Sequence, residues 1–525
     1  AGVRKGAARE LSLLVDDGAG WRTLRMRPAA MEDEHELFEA QFPAPGKGLD
    51  YLFLLPDGKV VGGTGGPGIV FRLDVPSLKP ACPSWWRDAV VYTIFVDRFR
   101  CGGVDGRWES ADRGTLHDGI AGGNLDGIIE ALPYLTELGV TVLHLTPVAR
   151  AASSHRYDAI DPRSVDPRLG GESAFKRLVD AVHARGLRLV ADLPLTHVHR
   201  DFFAFQDVCE NGPASAYWDW FRILRYPFGM APVPDYQHYQ KGRWEEPLLQ
   251  LDHPEVQDYL AGTLAIWAAR GVDGFRLDAA ADLPLELVRR LVQTARRINP
   301  DAVLFGELTV DNGYRWLGAG LHAVTEFGMQ QVIHDLLWRR TIGAAEAARR
   351  LARLHLQRGG PSWTSLAFTA THDQPRLLTL VGDRRRAMLG HLLVMAGASL
   401  PALYYGDEVG LCSAEPGREF EDAWPDRMPM PWGDLPKDDS CHEWFRRALK
   451  LRKTCLALRQ GDELHLAPEC GTNDVLIVRR THPSERVDVI VHAGDGWVRL
   501  RRPPFPDPRS AILLETGEVR LEGNE

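Results

Sequence analysis

Four apolar segments of this chain each end in an acidic residue, and this pattern limits the possible folds more than any other feature. The segments are 187–192, 274–278, 303–307 and 366–373. Amphipathic helical stretches separate them. In a barrel of alternating strands and helices, the carboxyl ends of all strands meet at one rim, which carries the reacting groups. The sequence therefore predicts an α/β fold, a (β/α)8 TIM barrel with acidic residues on its rim.

Eight strand candidates follow one another at the spacing of such a barrel: 90–96, 140–145, 187–193, 274–277, 303–306, 323–327, 366–369 and 402–405. The interval after the third is too long for one strand–helix unit, so we expect an inserted lobe at about 196–250. Alternating apolar residues at both ends of the chain predict two small β-sandwiches. We expect an N-terminal β-sandwich domain at 1–80, the catalytic barrel at 81–460 and a C-terminal β-sandwich domain at 461–525.

Composition excludes some classes of partner. The net charge is −9, which argues against nucleic acid, and the sequence contains no apolar run of about 18 residues that could span a membrane. The seven cysteines are odd in number and lack Cys-x-x-Cys spacing. They are typical of reduced thiols in a cytoplasmic protein rather than of a disulfide framework or a zinc site.

The pair Arg276 and Asp278 indicates what the rim could do. Strand alternation places both side chains on the same side, where the cation can hold the acid ionised. Glu307 ends the next strand and has no such partner in the sequence, so it is free to have the raised pKa of a general acid. Retaining glycoside hydrolysis uses two such carboxylates about 5–5.5 Å apart. Asp373, His197 and His372 could bind sugar hydroxyls beside them.

These motifs resemble the α-amylase family, glycoside hydrolase family thirteen. Its four hallmark regions correspond to 192–197, 274–278, 306–307 and 371–373, and further motifs lie at 122–126, 154–158 and 403–408. The similarity extends from about 89 to 432. Within the family, the stretches 202–208, 217–221 and 251–256 resemble the neopullulanase, cyclomaltodextrinase and maltogenic amylase group.

The resemblance assigns roles position by position. It implies three catalytic groups: Asp278 as nucleophile, Glu307 as acid/base and Asp373 as stabiliser of the transition state. It implies five residues for substrate binding or its support: Arg276, His197, His372, Tyr157 and Asp192. Tyr157 would lie under the reacting sugar, with a buried core tyrosine as the alternative. Asp192 would be a structural partner of Arg276.

Several positions depart from the family pattern. Thr196 replaces the asparagine that binds calcium in many relatives, and a hydroxyl is a poorer ligand for a hard cation, so we expect no metal or other cofactor and do not favour calcium. Ala279, Ala280 and Ala281 follow Asp278, and Leu308 and Thr309 follow Glu307. Larger side chains line the acceptor side in many relatives. The subgroup often forms homodimers through its N-terminal domain, which is short here.

The leading interpretation is a retaining hydrolase of α-1,4-glucosidic bonds in cyclodextrins, maltooligosaccharides or pullulan, so the expected partner is an α-glucan. A transglycosylase or α-glucosyl isomerase shares the covalent intermediate and differs in the acceptor. A non-catalytic sugar-binding protein on the same barrel is a third possibility.

Overall fold

The computed structural model describes residues 2–4, 10–16, 18, 20–32, 35–40, 49–62, 70–73, 82–103, 119–229, 235–239, 243–308, 314–358, 362–412, 426–433, 440–466, 473–495, 498–500 and 519–521. The chain divides into two compact units. One unit comprises Ala1–Ala81 and Ala348–Gly359, and the other comprises Cys82–Ala347 and Gly360–Glu525.

An antiparallel sheet of seven strands forms most of the first unit. Its strands are Gly2–Arg4, Leu11–Asp16, Arg22–Glu32, His35–Glu39, Leu49–Leu54, Val60–Val61 and Phe71–Leu73. Burial alternates along Leu11–Asp16, so Leu11, Leu13 and Val15 contact the core while the residues between them are partly exposed. This alternation is expected for a strand with one face on a core.

A closed barrel of eight parallel strands dominates the second unit, as the sequence predicts. Its strands, in order around the barrel, are Val91–Ile94, Val142–Leu145, Arg188–Leu193, Gly274–Leu277, Val303–Gly306, Ala323–Thr325, Ser365–Ala367 and Leu400–Tyr404. The fourth strand begins with glycine for a steric reason. A Cβ at Gly274 would lie 2.7 Å from the carbonyl oxygen of Val303 on the neighbouring strand.

The helices that follow the strands carry local start and stop signals. Asn124 caps the first long helix by accepting from the Gly127 N–H, and Gly139 ends it with φ 101°. The helices are Ser84–Arg87, Val96–Phe99, Leu125–Leu138, Gly171–Ala184, Phe203–Asn211, Pro254–Ala269, Leu285–Ile298, Tyr314–Gly318, Phe327–Leu337, Ala344–Arg358, Leu377–Val381, Arg384–Ala396, Ser440–Thr454 and Leu456–Gln460.

The barrel interior changes from apolar to polar along its first four strands. Its apolar layer includes Val91, Val142, Val190, Val303, Leu366 and Leu400. Side chains two positions further along a strand also point inward. In the first three strands those residues are Thr93, His144 and Asp192, and in the fourth strand Arg276 follows Gly274. In these four strands the inward side chains near the carboxyl ends are therefore polar where a rim site would need them.

The segment between the third and fourth strands forms a lobe attached to the barrel by backbone pairing. It contains the helix Phe203–Asn211 and a set of isolated bridges. One bridge joins His197 to Leu248, and Thr196 accepts a hydrogen bond from the Leu249 N–H. The lobe backbone therefore holds the loop that follows the third strand.

A three-stranded antiparallel sheet, Asp462–Leu466, Val475–His482 and Glu485–His492, follows the barrel. The short strands Val498–Leu500 and Val519–Leu521 pair in parallel. The cysteines that the structure describes form no disulfide. Among the helices of the described ranges, none is both long and apolar enough to cross a membrane.

Candidate active site

Arg276 lies at the centre of the rim and contacts three carboxylates. Its Nη1 donates to both oxygens of Asp192 at 2.8 and 2.7 Å and to Asp278 at 3.0 Å. Its Nη2 lies 2.8 Å from Glu307 Oε1. The structure thus brings together the residues that end the third, fourth and fifth strands. Arg276 contacts Glu307 as closely as it contacts Asp278. The sequence does not indicate this second contact.

Asp192 is a fully buried anion. Burial opposes its ionisation, but Arg276 and then His144 outweigh burial, so the pKa of Asp192 is lowered. The Tyr157 hydroxyl also donates to it at 2.7 Å. Asp192 therefore keeps its charge and holds the arginine in place, as expected for a supporting group.

Asp278 is an acid that ionises less readily than its arginine partner suggests. Burial raises the pKa of Asp278 well above the ordinary value. Arg276 opposes this shift, and the neighbouring Glu307, Asp192 and Asp373 add to it. The single guanidinium is shared among the carboxylates, so it offsets only part of the cost of burial.

Both oxygens of Glu307 have a donor. Arg276 contacts Oε1, and the Ala279 N–H points to Oε2 at 3.3 Å. Ala279 directly follows Asp278 and has φ 44°, a left-handed conformation that is unusual for a residue other than glycine. The backbone after the proposed nucleophile is thus turned towards the proposed acid.

Asp373 has a partner that the sequence does not reveal. Arg427 Nη2 donates to its Oδ1 at 2.8 Å, and Arg427 Nε donates to the His372 carbonyl at 2.8 Å. His372 Nε2 lies 3.2 Å from Asp373 Oδ2. The guanidinium of Arg427 also lies 4.9 Å from the centre of the Phe95 ring. Arg427 therefore fixes the backbone and side chain at the end of the seventh strand.

Tyr157 and His372 form a parallel stack. Their ring centres are 5.3 Å apart with 6° between the planes, and the Tyr157 hydroxyl is 2.6 Å from His372 Nε2. Since that hydroxyl donates to Asp192, it accepts from His372. Burial lowers the pKa of His372 and raises that of Tyr157, so both stay neutral near pH 7. A flat neutral surface of this kind suits a neutral sugar.

His197 is neutral as well and contacts the lobe. Burial, and then Arg243, lowers its pKa to about 3. Its ring stacks on Tyr239 with centres 4.1 Å apart. Burial raises the pKa of Tyr239, and the charges of Asp278 and Glu307 add to this shift.

Three residues of this site escape the sequence reasoning: His144, Tyr239 and Arg427. Only His144 leaves a signal, because it is the lone polar residue in the apolar second strand. Tyr239 and Arg427 come from loops whose positions depend on tertiary packing.

The residues that follow Asp278 and Glu307 differ in exposure. Ala280 is buried, and its carbonyl accepts from the Trp316 indole N–H at 2.8 Å. Leu308 is buried too, and its N–H donates to Thr325. Ala281 is exposed, whereas Thr309 lies outside the described residues. Leu308 therefore adds no surface to the acceptor side.

The part of the chain that the structure describes contains no cluster of three or more acidic, histidine or cysteine residues suited to a metal ion. Thr196, at the position of the calcium-binding asparagine of many relatives, has its hydroxyl 2.9 Å from His197 Nδ1.

Comparisons with known proteins show which family this chain resembles. The family model described as alpha amylase, catalytic domain, matches residues 93–301. The chain is 31% identical to neopullulanase 2 of Thermoactinomyces vulgaris, over 93% of this chain and 86% of the relative. It is 30% identical to a cyclomaltodextrinase of Geobacillus thermopakistaniensis (strain MAS1), over 98% of this chain and 91% of the relative. A solved structure titled cyclomaltodextrinase superposes with a TM-score of 0.80 at 27% identity, covering 93% of this chain and 86% of that chain.

Proposed function

Because the chain belongs to the α-amylase family, we propose that it is a retaining α-glucan hydrolase that cleaves α-1,4-glucosidic bonds in cyclodextrins, maltooligosaccharides or pullulan. The observation that carries this proposal is the contact of one guanidinium, that of Arg276, with both Asp278 and Glu307. The shared contact favours the close spacing of retaining enzymes, about 5–5.5 Å, over the wider spacing of inverting ones.

In the proposed reaction, the Asp278 carboxylate attacks the anomeric carbon while Glu307 gives a proton to the leaving oxygen. The bond to that oxygen breaks and a covalent glucosyl ester forms on Asp278. Glu307, now ionised, takes a proton from water, whose oxygen attacks the anomeric carbon and releases Asp278. Asp373 binds ring hydroxyls and holds them most tightly in the transition state.

The neutral residues of the site would bind the sugar. Tyr157 offers the face of its ring and His197 a neutral N–H donor to a hydroxyl, while His372, whose N–H points to the Tyr157 hydroxyl, holds that ring in place. Tyr239, stacked on His197, extends this wall from the lobe. We further propose that the enzyme works without calcium, on the basis of Thr196, and in the cytoplasm, because the cysteines that the structure describes form no disulfide.

Asp278→Asn tests the nucleophile. We expect turnover of p-nitrophenyl maltoside to fall by about 10⁴-fold or more, because the covalent step needs the carboxylate. Asp282→Asn is the matched control, since Asp282 is an exposed acid four residues away. Normal turnover by Asp278→Asn would refute the assignment.

The anomeric configuration of the first product tests the mechanism. Proton NMR of early products should show the α-anomer, and mass spectrometry after reaction with a 5-fluoro-glucosyl fluoride should find the label on Asp278. A β-anomer would contradict retention. Chromatography of the products separates the alternatives: glucose and maltose support hydrolysis, whereas longer or α-1,6-linked products support a transglycosylase or isomerase.

A further inference from the structure

A series of polar side-chain contacts in the barrel interior links the first four strands. Thr93 Oγ1 lies 3.1 Å from His144 Nδ1, and His144 Nε2 lies 3.5 Å from Asp192 Oδ2. Asp192 in turn binds Arg276. Strand register supports the order, since Thr93 pairs with His144 and Asp192 pairs with Arg276. These contacts connect Thr93, which points inward from the first strand, to the guanidinium that holds the catalytic acids.

The contacts of His144 define its protonation. The residue is 5% exposed, and burial lowers its pKa, with Asp192 opposing the shift, so the ring is neutral near pH 7. Its Nε2 lies 3.5 Å from Asp192 Oδ2 without making a hydrogen bond, so the contact is electrostatic, and a carboxylate attracts an N–H rather than a bare ring nitrogen. The single proton therefore lies on Nε2, and Nδ1 accepts from the Thr93 hydroxyl. One hydroxyl thus sets the tautomer that Asp192 requires.

We propose that His144 is a positioning residue for catalysis, acting on Arg276 through Asp192. The partial positive charge of its N–H, 3.5 Å from Asp192, offsets part of the charge of that carboxylate, so that Asp192 does not draw the guanidinium wholly to itself. Arg276 then remains shared with Asp278 and Glu307. This inference rests on the proposed hydrolase activity.

Loss of the His144 N–H should therefore change the ionisation of Asp278. The charged groups with the largest effect on the pKa of His144 are Asp192, Arg276 and Glu307. Those with the largest effect on the pKa of Asp278 are Arg276, Glu307, Asp192 and Asp373. If Arg276 moves towards Asp192, Asp278 loses part of its only cationic partner among these groups. Its ionisation then needs a higher pH.

The test is the pH profile of His144→Phe on p-nitrophenyl maltoside. We expect kcat to fall about 10-fold with KM changed by less than about 2-fold, because His144 is buried and offers almost no surface to a substrate. The acidic limb of kcat/KM should move to higher pH by about half a unit. His144→Gln keeps a side-chain N–H of similar reach. It should therefore retain most of the activity and the wild-type pH position of the acidic limb.

Two further comparisons separate positioning from packing. Thr93→Val removes the hydroxyl that sets the tautomer and should move the limb in the same direction, whereas Thr93→Ser should not. His322→Phe is the matched control: His322 is another buried barrel histidine, whose Nδ1 accepts from the Leu304 N–H. It should leave the limb in place even if it lowers the melting temperature.

The inference is overturned if folded His144→Phe keeps the wild-type limb and kcat, or if the Gln variant is impaired as much as the Phe variant. Should His144→Phe not fold by circular dichroism, the Thr93 pair decides: identical profiles for Val and Ser overturn the inference. Wild-type protein that hydrolyses no α-glucoside refutes the proposed function instead.

Discussion

Arg427 donates a 2.8 Å hydrogen bond to Asp373 from 54 positions further along the chain. Its second bond, to the His372 carbonyl, ties the same guanidinium to the backbone before Asp373. Arg427 itself is buried. One cation thus holds both the carboxylate and the peptide that carries it, as a bidentate side chain of fixed planar geometry can do.

Arg427→Ala should lower kcat by roughly 10- to 100-fold, because Asp373 loses the partner that orients it in the transition state. Steady-state kinetics on maltotriose would measure the loss. Arg446→Ala is the matched control, since Arg446 makes a partly exposed pair with Glu443. Arg427→Lys should recover little, because an ammonium cannot make both bonds in the same geometry. A kcat near wild type in Arg427→Ala would contradict this role.

The raised pKa of Asp278 predicts a displaced acidic limb. Asp278 must be ionised to attack, so kcat/KM should fall as the pH drops through its pKa, well above the ordinary aspartate value of about 3.9. Glu307→Gln mimics the protonated acid of the active form and should leave the limb within about half a unit of wild type. Maltosyl fluoride is the substrate for this comparison, because its leaving group needs little acid assistance. A larger shift would contradict the assignment.

Glu408 predicts a pH-dependent stability. Its carboxyl is fully buried, which raises its pKa to about 7, while Tyr92 and Tyr134 donate to it at 2.8 and 2.9 Å. An unfolded chain releases this proton near pH 4.3. Between about pH 4.3 and 7 the unfolded state therefore binds fewer protons than the folded state, so this contribution to stability is complete at low pH and is lost as the pH rises.

Glu408→Gln keeps the acceptor and removes the titration. Relative to wild type, its free energy of unfolding should increase by up to about 3 kcal/mol between pH 4.5 and pH 8. Urea denaturation at the two pH values would measure this change. Glu137→Gln, at an exposed helix position, should show no such trend. A constant difference between Glu408→Gln and wild type would disprove the prediction.

The left-handed backbone at Arg156 predicts that its alanine and glycine variants differ in stability. It precedes Tyr157, has φ 63°, and is anchored by Asp166 at 3.0 Å and by the Ser154 carbonyl at 2.7 Å. Both Arg156→Ala and Arg156→Gly lose the anchor, but only glycine adopts this conformation without strain. The alanine variant should therefore be less stable by about 1 kcal/mol. Equal stabilities in urea denaturation would show that the left-handed backbone costs nothing here.

The barrel and its acids can be predicted from the sequence because parallel strands in register bring their carboxyl ends to one rim. Asp278 and Glu307 follow strands in which Gly274 pairs with Val303, so two local patterns suffice to place them side by side. His144 could not be selected, because a lone histidine in an apolar strand usually belongs to the core. Its role depends on Asp192, 48 positions away, facing the same side of the barrel.

The charge interactions of the site and the positions of its loop residues are less predictable from the sequence than the strands. The sequence shows that Arg276 precedes Asp278, but it does not show that Asp192 and Glu307 share the same cation. It also does not show how much burial costs an anion, which sets the direction of the Asp278 pKa. Arg427 and Tyr239 lie on segments without periodic pattern, and only packing brings them to the rim.

The backbone pairing between the lobe and the loop after the third strand limits how this enzyme could be recombined. The Thr196 carbonyl accepts a hydrogen bond from the Leu249 N–H, and the Val198 N–H donates to the Pro247 carbonyl of the same lobe segment. A chimera that receives a foreign lobe without a matching segment at 247–249 would release the loop that carries His197. Lobe and loop therefore form one exchangeable module, and crossover points should fall outside 196–250.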